Sequence, residues 1–102
     1  MKTLLSIPLF LAATHVSAAC YSERPSEAPV LADGGVASKA EMLKSQEAVN
    51  EYVAEIRTFL DCNKRRLDDL EHNFYVNKAY TTAGAYNAEL QEYRSRDVVA
   101  GR

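Results

Sequence analysis

Residues 38–62 read SKAEMLKSQEAVNEYVAEIRTFLDC, and this stretch decides the fold. It opens with Ser38 followed three positions later by Glu41, the pattern of a capping box, in which each side chain accepts a hydrogen bond from the other residue's backbone amide. Apolar residues then recur at the three-, four- and seven-residue steps of one helix face. A strand cannot use that spacing, because its side chains alternate between two faces. The stretch therefore predicts an amphipathic helix that begins just after Ser38.

The apolar stripe of this helix is broad and continues past the stretch. Its members are Met42, Val49, Val53, Ile56, Leu60, Leu67, Leu70 and Phe74, and it is widened to one side by Leu43, Tyr52 and Phe59. A stripe of this width favours packing in a bundle over a narrow two-stranded seam.

A second apolar set follows on a different helical phase. It consists of Val76, Tyr80, Ala83, Tyr86, Leu90 and Tyr93. The change of phase predicts that the helix bends or ends between about residues 63 and 77, although neither candidate break, 62–64 or 72–73, contains Gly or Pro. We predict an all-α fold, a hairpin of two antiparallel helices with its turn near residues 63–66. The alternative is one long helix, from residue 38 to about 93, that buries its stripe by oligomerising.

Residues 1–18 have the organisation of a signal peptide. Lys2 gives a basic start, residues 4–13 form an apolar run, and Val16-Ser17-Ala18 is the small-residue pattern that signal peptidases accept. We expect cleavage before residue 19 or 20 and a mature chain of about 84 residues in the periplasm or secreted. The apolar run is about half of the roughly 20 residues that a membrane-spanning helix needs, and no later segment comes closer. No membrane span is expected.

The segment between the signal peptide and the helix predicts an extended arm that ends in a turn. It contains Pro25, Pro29 and the pair Gly34-Gly35, with no apolar period. The expected domain order is signal peptide 1–18, extended arm 19–37, helical domain 38–95 and disordered tail 96–102.

Cys20 and Cys62 are the two cysteines of the chain. In an oxidising compartment they can form one intrachain disulfide. An extended arm from Cys20 to Gly34 reaches about 45 Å, and the helix up to Cys62 spans about 36 Å, so an arm that turns back along the helix brings the two sulfurs together. A structural role is predicted, because redox-active pairs occur as Cys-x-x-Cys. The alternative is a lipoprotein acylated at Cys20, which would leave Cys62 available for an interchain bridge.

The composition argues against nucleic-acid binding and catalysis. The chain has 12 basic and 14 acidic residues, and loss of Lys2 with the signal peptide leaves a net charge of about minus 3, which disfavours nucleic acid. His72 is the one histidine expected after cleavage, and an exposed ion pair with Asp68 explains it better than a metal site, because two ligands do not complete one. We therefore predict no enzyme activity, no cofactor and no metal site.

Five tyrosines fall in the helical region. They are Tyr52, Tyr75, Tyr80, Tyr86 and Tyr93. An aromatic row can anchor a protein partner. Most of these residues nevertheless lie on or beside the stripes, where a tyrosine buries its ring and keeps its hydroxyl in water, so core positions are the favoured interpretation.

Several sequence features follow one another along the chain. They are Cys20, Pro25, Pro29, Asp33-Gly34, Met42, Tyr52-Val53, Cys62 and His72-Asn73. This arrangement resembles small secreted proteins of unknown function from Gram-negative bacteria, and it covers most of the mature chain. The resemblance implies a periplasmic helical protein and supplies no activity. We expect a non-enzymatic accessory or scaffold protein of the cell envelope, acting through an unknown protein partner or by self-association.

Overall fold

The computed structural model describes residues 24–100, with side chains as far as residue 96. Two helices, α1 (Lys39–Cys62) and α2 (Asp69–Ala100), form an antiparallel hairpin, and an extended arm (residues 24–37) precedes α1. The predicted all-α hairpin with an N-terminal arm is confirmed. The alternative of one continuous helix is wrong, because residues 63–68 interrupt it.

The start of α1 is set by the capping box. The Ser38 hydroxyl accepts a hydrogen bond from the Glu41 amide at 3.1 Å, and the Glu41 carboxylate accepts one from the Ser38 amide at 2.9 Å. Backbone amides at a helix start have no partner within the helix, so the side chains must supply one. Local sequence alone therefore positions this end of α1.

Asn63 ends α1 and organises the turn of residues 63–66. Its backbone amide donates to the Phe59 carbonyl at 3.1 Å, and its side-chain amide donates to the same carbonyl at 2.9 Å. Its own carbonyl accepts hydrogen bonds from Arg66 at 2.8 Å and Leu67 at 3.1 Å. Because Asn63 is only 3% exposed, these bonds are shielded from water. The predicted turn position is confirmed, and Asn63 explains why neither Gly nor Pro is needed there.

α2 begins at an acidic cap and extends further than predicted. The Asp68 carboxylate accepts a hydrogen bond from the Glu71 amide at 2.8 Å, which caps the helix. The sequence predicts a disordered tail over residues 96–102, whereas the helix continues through Ala100. After Gly84, which lies inside α2, no Gly or Pro occurs before Gly101, so nothing in the backbone ends the helix earlier.

The hydrophobic core runs along the hairpin between the two helices and the end of the arm. Its buried apolar members are Ala37, Met42, Val49, Tyr52, Ile56, Phe59 and Tyr86. The Tyr86 hydroxyl donates to the Met42 carbonyl at 3.3 Å, and the rings of Phe59 and Tyr75 meet edge to face at 5.1 Å between centroids. These contacts fix the antiparallel register of α1 and α2.

The predicted stripe does not continue through the turn. Leu70 is 80% exposed and Phe74 is 52% exposed. Both residues belong to α2. The face that α2 buries is set by its packing against α1, so the apolar spacing that begins at Met42 in α1 does not predict it. The tyrosine prediction holds for Tyr52 and Tyr86, which are buried, but is wrong for Tyr80, which is 74% exposed.

The arm lies antiparallel along α1. The Ser26 hydroxyl donates to the Glu55 carboxylate at 3.0 Å, and the Ala32 amide donates to the Ser45 hydroxyl at 2.8 Å. Later arm residues therefore contact earlier residues of α1, as the predicted fold requires. The hydroxyl of Ser45 is a polar group on an apolar face, and the arm explains its presence there.

The two ends of the arm are held by arginines. At the first described residue, Arg24 forms an ion pair with Glu71, and its guanidinium lies 5.7 Å from the centroid of the Phe59 ring. At the other end, Arg96 donates to the Gly34 carbonyl at 3.3 Å and to the Ala37 carbonyl at 2.7 Å. The arm is thereby attached to both helices.

Candidate functional site: an open groove between the helices

A groove between α1 and α2 has no arm residue in its lining, and we call it the open groove. Its volume is about 420 Å³. It is lined by Val53, Ile56, Arg57, Leu60 and Asp61 of α1 and by His72, Val76, Ala79, Tyr80 and Ala83 of α2.

The floor of the open groove is apolar. Ile56 is buried, while Val53, Leu60 and Val76 are half-buried and keep part of their surface in contact with solvent. The Tyr80 side chain stands at the edge and is largely exposed. Covering exposed apolar area of this kind with a partner is favourable, because each Å² removed from water stabilises the complex by roughly 25 cal/mol.

The rim of the open groove carries charges of both signs. Arg57 and Asp61 lie one turn apart on α1, and both are exposed. His72 reaches the groove from α2, also at an exposed position. The open groove thus has an apolar floor bordered by charged side chains, an arrangement that protein-contact surfaces also have.

The sequence predicts that apolar residues of the open groove lie on helix stripes, but it does not predict the groove. Val53 and Leu60 belong to the first stripe, and Val76 and Ala83 to the second apolar set. The two sets point in different directions around their helices. When the helices pack together, some apolar residues of each set therefore remain uncovered beside the contact. Only the hairpin turn brings those uncovered residues side by side.

The cysteine prediction falls partly outside the described residues. Cys62 is the last residue of α1, at an exposed position, and it is not a free cysteine. Cys20 lies outside residues 24–100, so its pairing with Cys62 stays a prediction.

His72 and Asp68 do not have the predicted relationship. The Asp68 carboxylate accepts from the Glu71 amide and caps α2, instead of pairing with the His72 ring. Near this end of the hairpin, an ion pair joins Arg24 to Glu71. A helix start needs acceptors for its amides, and Asp68 is placed to supply one. His72 lies on the neighbouring face and lines the open groove.

Three carboxylates that sequence analysis missed meet beside the arm turn. One ligand oxygen from each of Asp33, Glu89 and Glu92 lies within 4.8 Å of the others. The negative charge of Glu89, with a small loss of hydration and the charge of Asp33, raises the pKa of the exposed Glu92. A hard cation takes six or more oxygen ligands, so three carboxylates alone do not define a metal site. Asp33 is distant in sequence from the other two, and the only local signal is the Glu89–Glu92 spacing.

A larger cleft, of about 630 Å³, lies between the arm and α1. Its polar side chains hold the arm in place, as the hydrogen bond between Ser26 and Glu55 shows. Tyr52 forms part of its wall, and burial of the phenol raises the Tyr52 pKa. We therefore assign this cleft to the attachment of the arm and consider the open groove the better candidate for function.

Comparison with protein-family models, curated proteins and solved structures finds no match to this chain. The assignment of function therefore depends on the residues themselves. Neither helix within residues 24–100 combines the length and apolar character needed to cross a membrane.

Proposed function

We propose that this chain is a non-enzymatic periplasmic protein that acts as an accessory or scaffold through protein–protein contact in the cell envelope. The open groove is the observation that carries the proposal. It offers an apolar floor with Tyr80 exposed at its edge and charges of both signs on its rim. Aromatic residues surrounded by apolar surface are the usual centres of binding energy in protein interfaces.

The proposed location depends on residues 1–18, which have the pattern of a signal peptide. It agrees with the resemblance to small secreted proteins of Gram-negative bacteria. An exported chain would also meet the oxidising conditions in which a disulfide persists.

The register of the arm supports the proposed Cys20–Cys62 disulfide. The arm covers six residues between its contact with Glu55, at Ser26, and its contact with Ser45, at Ala32. Over the same distance α1 runs ten residues in the opposite direction. If the same direction continues for the six residues before Ser26, Cys20 falls near the end of α1, where Cys62 lies. A disulfide closing this loop would stabilise the fold by about 3 to 4 kcal/mol.

Crosslinking in cells tests the contact function. A photoreactive phenylalanine analogue at Tyr80 is expected to give a discrete protein adduct in the envelope fraction. The same analogue at Tyr93, a half-buried residue packed against the core, serves as the matched control and should give none. If Tyr80 gives no adduct of any composition, including one with a second copy of the chain, the proposed contact function is wrong.

Intact mass of the mature protein tests the location and the cysteines together. We expect cleavage before residue 19 or 20, release from the periplasm by osmotic shock, and a mass 2 Da higher after reduction. The second candidate, a lipoprotein anchored through Cys20, predicts an acylated amino terminus and partition into detergent.

A further inference from the structure

We propose that the open groove is occupied by a second copy of this chain, so that two hairpins form a two-fold symmetric four-helix bundle. This inference depends on the proposed contact function and names the partner of the same groove.

The hairpin face is large enough for a stable dimer. α1 has 24 residues, so a second hairpin laid along the open side of α1 and α2 would meet a face about 36 Å long and about 20 Å wide, on the order of 700 Å², in which the open groove is one apolar part. A specific interface buries about 800 Å² on each partner. A second hairpin laid along this face would therefore cover an area close to that of a standard interface.

The charges on the rim are complementary to themselves. Arg57 and Asp61 lie one turn apart on the exposed side of α1. A two-fold axis that lies between the two hairpins and is level with residues 57–61 sets the two copies of α1 antiparallel, so that Arg57 of each copy lies opposite Asp61 of the other. A partner helix with an anion and a cation one turn apart would complement this rim, and this chain carries both charges at that spacing. A two-fold interface must be self-complementary in just this sense.

Small residues on α2 leave room for the second hairpin. Ala79 and Ala83 lie in the groove one turn apart, and neither extends beyond Cβ. Helix axes approach to 8–10 Å according to the size of the side chains at the contact, and alanines allow the closest approach. Tyr80 stands beside them, 74% exposed, and would be covered in the bundle.

The first measurement is the mass of the purified mature protein by light scattering coupled to size-exclusion chromatography. We expect a dimer. The variants Arg57→Asp and Asp61→Arg should each raise the dissociation constant about tenfold or more, because each sets like charges opposite one another. The matched controls Arg65→Asp and Glu47→Arg carry the same charge changes outside the groove and should remain dimeric. Far-UV circular dichroism verifies that every variant keeps its helix content.

Charge exchange gives the sharper test. The double variant Arg57→Asp/Asp61→Arg should dimerise again, because the exchanged charges are complementary once more. Mixing the two single variants should also yield a heterodimer, because one then contributes two anions and the other two cations. A dimer that responds equally to the groove and control variants, or a double variant that fails to recover, overturns the proposed interface.

The outcomes separate this inference from the proposed function. A monomeric mature protein whose Tyr80 crosslinks to another envelope protein overturns the dimer and supports the contact function. A monomer with no adduct at Tyr80 overturns both.

Discussion

Gly34 lies directly against the backbone of α2 at Glu89. The Gly34 amide donates to Glu89 Oε1 at 2.8 Å, and a Cβ atom placed on Gly34 would lie 1.9 Å from the Glu89 carbonyl oxygen. No side chain fits in that space. The requirement for glycine is thus steric, and it comes from a residue far away in the sequence.

Replacing this glycine is expected to dislodge the arm. Gly34→Ala forces the arm away from α2, and because a backbone cannot yield as a side chain can, we expect a loss of about 2 to 3 kcal/mol. Thermal unfolding measures the loss, and hydrogen exchange of residues 24–37 locates it. Gly35→Ala is the matched control, because its Cβ would lie 3.2 Å from a movable Asp33 side-chain oxygen. Equal losses in the two variants would contradict the close approach.

Gly84, in the middle of α2, lowers the stability of the helix and can be replaced. A Cβ at this position would have no atom within 4 Å, so Gly84→Ala adds no clash. Alanine favours a helix over glycine by about 1 kcal/mol, and the variant should be more stable by that amount in denaturant unfolding. A decrease in stability would show that this part of α2 is covered in the assembled protein.

The buried amide of Asn63 should be essential to the turn. Asn63→Ala removes the side-chain hydrogen bond to the Phe59 carbonyl, and we expect a loss of about 1 to 2 kcal/mol. Asn50→Ala, at an exposed position inside α1, is the control and should not lower the unfolding free energy, because alanine favours a helix over asparagine. If the two variants were equally stable, the turn would not depend on Asn63.

The carboxylate cluster predicts a specific pH dependence. Because repulsion from Glu89 raises the Glu92 pKa, the folded protein holds the Glu92 proton more tightly than the unfolded chain does. The stability linked to this group is therefore present below the ordinary glutamate value of 4.5 and is lost as pH rises above it. Glu92→Gln should raise the Tm at pH 7 and flatten the difference between pH 7 and pH 4.5. Glu47→Gln, outside the cluster, should leave both unchanged.

The secondary structure was largely predictable, because its signals are local. The capping box of Ser38 and Glu41 acts over three residues, and the apolar period of α1 repeats within each turn. The two residues that hold the turn were less visible. Asn63 and Asp68 act through side-chain hydrogen bonds to neighbouring backbone, which Gly and Pro counts do not reveal.

The open groove shows why the candidate site was harder to predict. Tyr80 and Val53 belong to different apolar sets, and the sequence gives no measure of how two helices rotate against each other. The expectation that Tyr80 lies in the core is wrong for that reason. Residues at helical spacing can lie on the side of α2 that faces α1 or on the side that faces solvent.

Sequence by itself determined the all-helical class, the start of α1, the turn near residues 63–66 and the composition of the arm. These features follow from periodicity and from hydrogen bonds between near neighbours. Tertiary structure alone decided the contact of Gly34 with Glu89, the carboxylate cluster and the groove between α1 and α2. Each of these joins residues that are far apart in the chain, and their proximity depends on how the arm and the two helices pack.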